Sequence, residues 1–100
     1  MVKHIVFWNL KDFAEGNDKE ANLKLAKEGL EALVKKLPLV KCFEFGRTAV
    51  PGPTQFDVAL YMEFDSMEDL ETYLNDPDHQ KFAAFAQKIR TDRAAVDYIV

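Results

Sequence analysis

The fold is decided by residues 56–82, which read FDVALYMEFDSMEDLETYLNDPDHQKF. The first part is an apolar run with the residue types of a buried strand. Ser66 then caps an amphipathic helix. The pair Asp76-Pro77 opens a second helix, because aspartate favours the N-cap and proline the first helical position, and His79 lies in its first turn. The segment therefore predicts a strand followed by two consecutive helices.

The rest of the chain completes the element order βαββαβ. Apolar residues at helical spacing predict a first helix, with Asn17 as its N-cap and Glu20 as the capping-box partner. This order predicts an α+β, ferredoxin-like fold, in which a four-stranded antiparallel sheet carries the helices on one face and strands one and three are central. The predicted bounds are Val2–Leu10, Val40–Ala49, Phe56–Phe64 and Val96–Val100 for the strands and Asp18–Lys36 for the first helix.

Length and composition describe a small acidic globular chain. Its 100 residues, 48% of them hydrophobic and 30% charged, predict one domain spanning residues 1–100 with a modest core. The formal net charge of −4 argues against nucleic acid or an anionic membrane as a partner. We expect neither a signal peptide nor a membrane span. The single Cys42 cannot form an intrachain disulfide, so we expect a buried thiol in a reducing, cytoplasmic compartment.

Apolar residues also occupy the sheet face that points away from the helices. Side chains alternate between the two faces of a strand, so Ile5, Phe7 and Tyr61 share this outer face. Contiguous apolar surface of this kind usually marks an interface. We therefore predict a homodimer in which two sheets face each other and form an eight-stranded, barrel-like core.

Three polar side chains are predicted to converge on the space between the sheet and the helices. His4 projects from the first strand, Tyr73 lies beside the inward stripe of its helix, and His79 opens the last helix. We assign His79 as the candidate general base, Tyr73 as the donor to a developing enolate and His4 as the group that orients a ligand. The apolar walls, which with His4 are the candidate ligand-binding residues, are Val6, Trp8, Val58, Leu60 and Phe82.

Each of these polar residues also has a purely structural interpretation. His79 can tether the start of its helix through a local hydrogen bond, and Tyr73 can bond its hydroxyl to the backbone at the edge of the core. His4 can be a satisfied core histidine. Arg47 is either an anion-binding group or an exposed residue beside a loop. The side chains offer no cluster with metal-ligand spacing, so we expect no metal ion and no cofactor.

A set of short motifs covers the chain from end to end. They are Lys3-His4-Ile5-Val6-Phe7, Lys11-Asp12, Phe56-Asp57-Val58-Ala59-Leu60, Phe64-Asp65-Ser66, Tyr73, Pro77, His79, Phe82 and Val96-Asp97-Tyr98. Together they are similar to the stress-responsive dimeric α+β barrel (Dabb) family. The resemblance implies a ferredoxin-like fold and a homodimer, and most members of the family have no assigned reaction.

Similarity to the olivetolic acid cyclase-like members of that family implies more about the candidate site. Tyr73 and His79 correspond to the catalytic pair of those members, and His4 corresponds to their first-strand histidine. Two positions depart from the pattern. The third-strand histidine of those members falls on Val58, and the histidine before the proline falls on Asp76.

Three functions compete on these observations. The first is a stress-response barrel protein that binds a small apolar or aromatic ligand. The second is a small polyketide cyclase or lyase that uses Tyr73 and His79. The third, by analogy of fold, is a cofactor-independent monooxygenase. Some family members also hold a magnesium ion with backbone carbonyls, which here would be those near Leu30, Leu33 and Lys36.

Overall fold

The computed structural model describes residues 1–100 in full. The chain forms six strands and three helices. In chain order they are β1 (Val2–Leu10), β2 (Phe13–Ala14), β3 (Asn17–Asp18), α1 (Lys19–Lys36), β4 (Cys42–Arg47), β5 (Val58–Phe64), α2 (Met67–Asn75), α3 (Pro77–Ile89) and β6 (Arg90–Ile99). None of the helices is long and apolar enough to cross a membrane.

The main sheet has four strands in the order β4-β5-β1-β6, with every neighbouring pair antiparallel. The two most apolar strands, β1 and β5, are central, as their composition predicts. Along both strands buried side chains alternate with more exposed ones, because one face of the sheet packs on the helices. The α+β, ferredoxin-like fold is confirmed.

The core lies between one sheet face and the three helices. The sheet contributes alternate residues of β1 and β5, and each helix contributes the apolar positions of one stripe. The most deeply buried members from the helices are Ala26, Leu30, Leu70, Tyr73, Ala86 and Ile89.

The start of α1 differs from the prediction. Its N-cap is Asp18, whose carboxylate accepts a hydrogen bond from the backbone N–H of Ala21 at 2.8 Å. Asn17 instead belongs to a small hairpin, β2–β3, which turns through two residues with positive φ, Glu15 at 54° and Gly16 at 79°. Two such residues are typical of the tight turns that join hairpin strands. The acidic residue predicted for the capping box, Glu20, bonds Arg47 instead.

Three strand bounds also differ from the prediction. β4 is shorter than predicted and spans Cys42–Arg47. β5 begins at Val58, and Phe56 before it turns to the outer face, where its ring lies 5.7 Å from that of Phe7. β6 begins six residues earlier than Val96, at Arg90, and pairs with β1 along nearly its whole length. Its polar sequence hid this, because an exposed edge strand needs no apolar alternation.

Candidate functional site

A cavity of about 210 Å³ lies between the sheet and the helices α2 and α3. Fourteen residues line it, nine of them hydrophobic, and none carries a carboxylate. The polar groups come from four separate elements, which is the usual construction of a small-molecule site. The lining residues are His4, Val6, Trp8, Leu30, Leu60, Tyr73, Leu74, His79, Phe82, Ala83, Ala86, Gln87, Arg90 and Arg93.

His79 is held at this cavity by the start of α3. The Asp76 carboxylate caps the helix and accepts hydrogen bonds from the backbone N–H groups of Asp78 and His79. The His79 Nδ1 lies 3.1 Å from the carbonyl oxygen of Leu74. A carbonyl only accepts, so Nδ1 carries the proton and Nε2 is left with a free lone pair. Burial lowers the pKa of His79, and the imidazole is therefore a neutral potential base near pH 7.

Tyr73 packs directly against His79. The two ring centroids are 4.4 Å apart, and the tyrosine side chain is fully buried. Its hydroxyl makes no hydrogen bond with another residue, in contrast to the structural interpretation that placed it on the backbone. Burial raises the pKa of Tyr73 far above its usual value of 10.0. The hydroxyl therefore stays protonated at any physiological pH and can donate a hydrogen bond to a bound oxygen.

His4 reaches the same cavity from the middle of β1. It is almost fully buried, and its ring centroid lies 6.4 Å from that of Tyr73. Its Nδ1 is hydrogen-bonded to the carboxylate of Asp97, the residue directly opposite on β6. The carboxylate fixes which ring nitrogen carries the proton, so the His4 Nε2 is the free nitrogen. Sequence reasoning missed the role of Asp97 because the last strand was predicted to begin only one residue before it, with no register to β1.

Trp8 gives the cavity an aromatic wall. Its indole stacks on the ring of Phe82 at 6.1 Å and meets the ring of Phe45 edge-on at 6.2 Å. The indole is 4% exposed, and its Nε1 has no hydrogen-bond partner in the chain. An unpaired buried donor costs about 1–3 kcal/mol, which an acceptor on a bound molecule would recover.

Most of the residues predicted as apolar walls line the cavity. Val6, Leu60 and Phe82 line the cavity with Trp8, whereas Val58 does not. Val58 is buried opposite Trp8 at the start of β5 and borders a separate groove with Phe7 and Phe56. Alternation identifies the sheet face and does not locate a cavity along it, so the ligand-binding role of Val58 stays a prediction. The cavity lies on the β6 side of the sheet, and Val58 lies toward β4.

Three further polar residues line the cavity, and sequence reasoning missed them. Gln87 lies near the end of α3, Arg90 is the C-cap of that helix, and Arg93 follows in β6. The signal was present in the sequence, since a pair of arginines follows the last inward residue of the helix, Ile89. Because the last strand was predicted to begin only at Val96, both arginines fell in the connection before it.

Two other predicted residues have simpler roles. Arg47 forms a bidentate ion pair with Glu20, with N–O distances of 2.6 and 2.7 Å, so its fork is already occupied. Cys42 lies on the outer face of β4, opposite Glu63. Burial, followed by the nearby carboxylates, raises the pKa of its thiol, which is the opposite of what an activated thiol needs.

The carbonyls named for a family-type magnesium ion do not form a suitable ligand set. Only the last four carbonyls of a helix lack an internal partner. Leu30 lies before that last turn of α1, and its residue is fully buried in the core. The charged side chain among the three is the cation Lys36, which pairs with Asp78 at 3.7 Å.

Residues 2–100 match the stress responsive A/B barrel domain, Dabb. The chain belongs to this family. No curated protein matches this Dabb chain.

Solved structures similar to this Dabb chain share its fold. A dimeric ferredoxin-like protein of unknown function from Bacteroides fragilis NCTC 9343 is 34% identical, with a TM-score of 0.84 over 97% of this chain and 93% of its own. A dimeric ferredoxin-like protein of unknown function from Thermobifida fusca is 21% identical, with a TM-score of 0.85 over 99% and 90%. Hydroxynitrile lyase from Passiflora edulis is 20% identical, with a TM-score of 0.83 over 99% and 92%. At 21% and 20% identity, the last two share the fold alone.

Proposed function

We propose that this Dabb protein binds a small apolar or aromatic ligand, about the size of a single ring, in the cavity between the sheet and the helices. One observation carries the proposal. The indole N–H of Trp8, a buried donor on a residue that lines the cavity, has no partner in the protein. Buried donors are normally paired, so this orphan supports a ligand that carries an acceptor, and the Tyr73 hydroxyl offers a second donor at the same cavity. The walls of Val6, Leu60 and Phe82 supply the apolar surface for the rest of that ligand.

The size of the cavity limits the ligand. Drug-sized ligands occupy pockets of about 300–1,000 Å³, whereas this one holds about 210 Å³. Trp8 stacked on Phe82 offers a flat aromatic wall that suits a planar guest. A small aromatic or conjugated molecule fits both properties.

A pair of alanines on α3 gives a direct test of ligand binding. Ala83 lines the cavity, whereas its neighbour Ala84 is exposed and does not. The chain has a single tryptophan, so Trp8 emission reports on this cavity alone. Benzyl alcohol and benzamide should quench or shift that emission, Ala83→Leu should abolish the response, and Ala84→Leu should preserve it. Equal responses in the two variants would show that the probes bind elsewhere.

The second candidate function is an acid–base reaction of the lyase or cyclase type. It is favoured by the hydrogen bond from His79 Nδ1 to the Leu74 carbonyl, which leaves Nε2 free as a base beside Tyr73. In such a step Nε2 takes a proton from the carbon next to a carbonyl group. The electron pair of the broken C–H bond forms a carbon–carbon double bond, and the π electrons of the carbonyl group move to its oxygen. The Tyr73 hydroxyl donates a hydrogen bond to the resulting enolate. The monooxygenase hypothesis stays a prediction from the fold.

Proton abstraction can be tested without knowing the natural substrate. Phenylacetone in heavy water exchanges its acidic C–H protons whenever a base forms the enolate, and NMR follows the exchange. If His79 is the base, His79→Gln should slow the protein-dependent exchange by about a hundredfold or more. Ala84→Leu serves as the control. Exchange at the rate of buffer in the native protein would remove this second candidate and leave the binding proposal intact.

The same proposal includes a homodimer formed through the outer sheet face. This face carries Ile5, Phe7 and Tyr61 between β6 and β4, and β6 adds Val96 and Tyr98. Phe7, Val96 and Tyr98 are all exposed in the isolated chain. Solved relatives of the same fold are described as dimeric. Two such faces packed together form the eight-stranded core that the sequence predicts.

A further inference from the structure

We propose that Arg90 and Arg93 form an anion subsite in this cavity and that the ligand class is small aromatic carboxylic acids. This inference rests on the proposed binding function and goes further by naming the charged group of the ligand. The carboxylate would lie between the two guanidinium groups, and the ring would lie on the apolar walls.

The backbone brings the two arginines to the same side of the cavity. Arg90 ends α3 as its C-cap and starts β6, and Arg93 lies three residues further along. Arg93 is directly opposite Trp8 on β1, so both project to the helix-covered face of the sheet. Both arginines line the cavity, Arg90 half-buried and Arg93 exposed at its mouth.

Neither guanidinium group is neutralised within the chain. None of the seven ion pairs includes Arg90 or Arg93. The nearest acidic residues in sequence are engaged elsewhere, since Asp92 bonds Asn9 and Asp97 bonds His4. Arg47 shows the contrast, because it holds the Glu20 carboxylate in a bidentate pair. Burial and the neighbouring Arg93 charge lower the pKa of Arg90, because both disfavour the positive charge on its guanidinium group.

The lining supplies no acidic group to balance the two arginines. None of its fourteen residues carries a carboxylate, and the Asp97 carboxylate nearby is bonded to His4. A chain with a formal net charge of −4 thus concentrates cationic and donor groups in one small space. An anionic ligand resolves this local imbalance through charge-assisted hydrogen bonds, for which the planar guanidinium fork matches a carboxylate.

The rest of the cavity sets the chemistry of the uncharged part. Trp8 and Phe82 give a stacked aromatic wall, and the cavity has room for about one ring plus a short substituent. The Tyr73 hydroxyl and the Trp8 N–H are then available to a carbonyl or hydroxyl on that ring system.

The test compares matched acids and amides on the native protein at fixed ionic strength. Benzoate and cinnamate are titrated against benzamide and cinnamamide, with Trp8 emission and calorimetry as readouts. We expect each acid to bind at least about tenfold more tightly than its amide, the gain of one charge-assisted hydrogen bond. Arg90→Gln with Arg93→Gln should remove this preference, so that acid and amide bind with similar affinity. Arg47→Gln, at the paired arginine, should behave like the native protein.

The possible outcomes separate the binding function, the anion subsite and the carboxylate class of ligand. Equal binding of acid and amide in the native protein would overturn the anion subsite while the binding function stands. A preference for the acid that survives in the double variant would also overturn the subsite. Tighter binding of phenyl phosphate than of either acid would overturn the carboxylate class. No response to any probe would overturn the binding function and the subsite together. If the double variant does not fold, the single variant Arg93→Gln replaces it, because this side chain is exposed and its loss should not prevent folding. Arg93→Gln should lower the preference for the acid several-fold, and an unchanged preference would overturn the subsite.

Discussion

His4 and Asp97 lie directly opposite each other on β1 and β6, and the Nδ1 of the histidine is hydrogen-bonded to the carboxylate of the aspartate. The histidine is buried, while the aspartate side chain is 35% exposed at the sheet edge. This pair ties the edge strand to the central strand at the cavity. It also fixes the tautomer of His4, because the proton on Nδ1 faces the carboxylate and Nε2 remains free.

The pair predicts an unequal effect of two similar substitutions in β6. Asp97→Ala should lower the free energy of unfolding by about 1–3 kcal/mol, because it leaves a buried histidine nitrogen without its partner. Asp92→Ala removes an exposed carboxylate bonded to Asn9 and should cost less than about 1 kcal/mol. Urea denaturation measures both. Equal losses would mean that the His4 bond contributes nothing specific to stability.

The second prediction concerns the pH dependence contributed by His79. Burial lowers its pKa in the folded state below the value of 6.5 for a free histidine. The unfolded chain therefore binds the proton more tightly, and the neutral imidazole contributes stability above pH 6.5 that is lost as the pH falls below that value. His79→Gln cannot be protonated. As the pH falls from about 7.5 to about 5, an interval that brackets the pKa of a free histidine, the native protein should therefore lose more free energy of unfolding than the variant does. Parallel pH curves for the two proteins would contradict the lowered pKa.

The central strands and the edge strand β6 differ in how well the sequence predicts them. β1 and β5 could be predicted because a strand with one face on the core shows alternation, and Val2–Leu10 was predicted with the bounds that the structure has. β6 was predicted only in part, as Val96–Val100, because it is a polar edge strand whose pairing depends on β1 and not on its own pattern. Arg90 and Arg93 lie in the part that was missed. The contact of Asp97 with His4 depends on the register of β6 to β1, which the sequence pattern does not give.

The outcome for Val58 marks another limit of sequence reasoning. Alternation correctly placed its side chain toward the helices, and the residue is buried. Whether a buried position borders a cavity depends on its distance along the strand and on the strands beside it. The three polar residues His4, Tyr73 and His79 were easier to predict, because each lies near a landmark such as a central strand, an inward stripe or a proline. Their assigned chemical roles stay predictions.

The third prediction separates the role of the Tyr73 hydroxyl from that of its ring. The ring packs against His79 and Phe64, whereas the hydroxyl has no partner in the protein. Tyr73→Phe should therefore leave the free energy of unfolding within about 0.5 kcal/mol of the native value, since the substitution keeps the ring and breaks no hydrogen bond within the protein. The same variant should bind benzamide several-fold more weakly. A loss of stability above about 2 kcal/mol would show that the hydroxyl is bonded after all.

The last prediction tests the proposed dimer with two substitutions of matched exposure. Phe7 is 38% exposed on the outer sheet face, and Leu25 is 44% exposed on α1. In a dimer that packs the outer faces together, Phe7→Asp places an unpaired charge in the interface, which costs several kcal/mol and should give monomers or unfolded chains. Leu25→Asp lies on the opposite side of the molecule and should remain dimeric. Sedimentation equilibrium at micromolar concentration distinguishes these results. A native protein that sediments as a stable monomer would exclude the dimer, and a split caused by Leu25→Asp alone would move the interface to the helices.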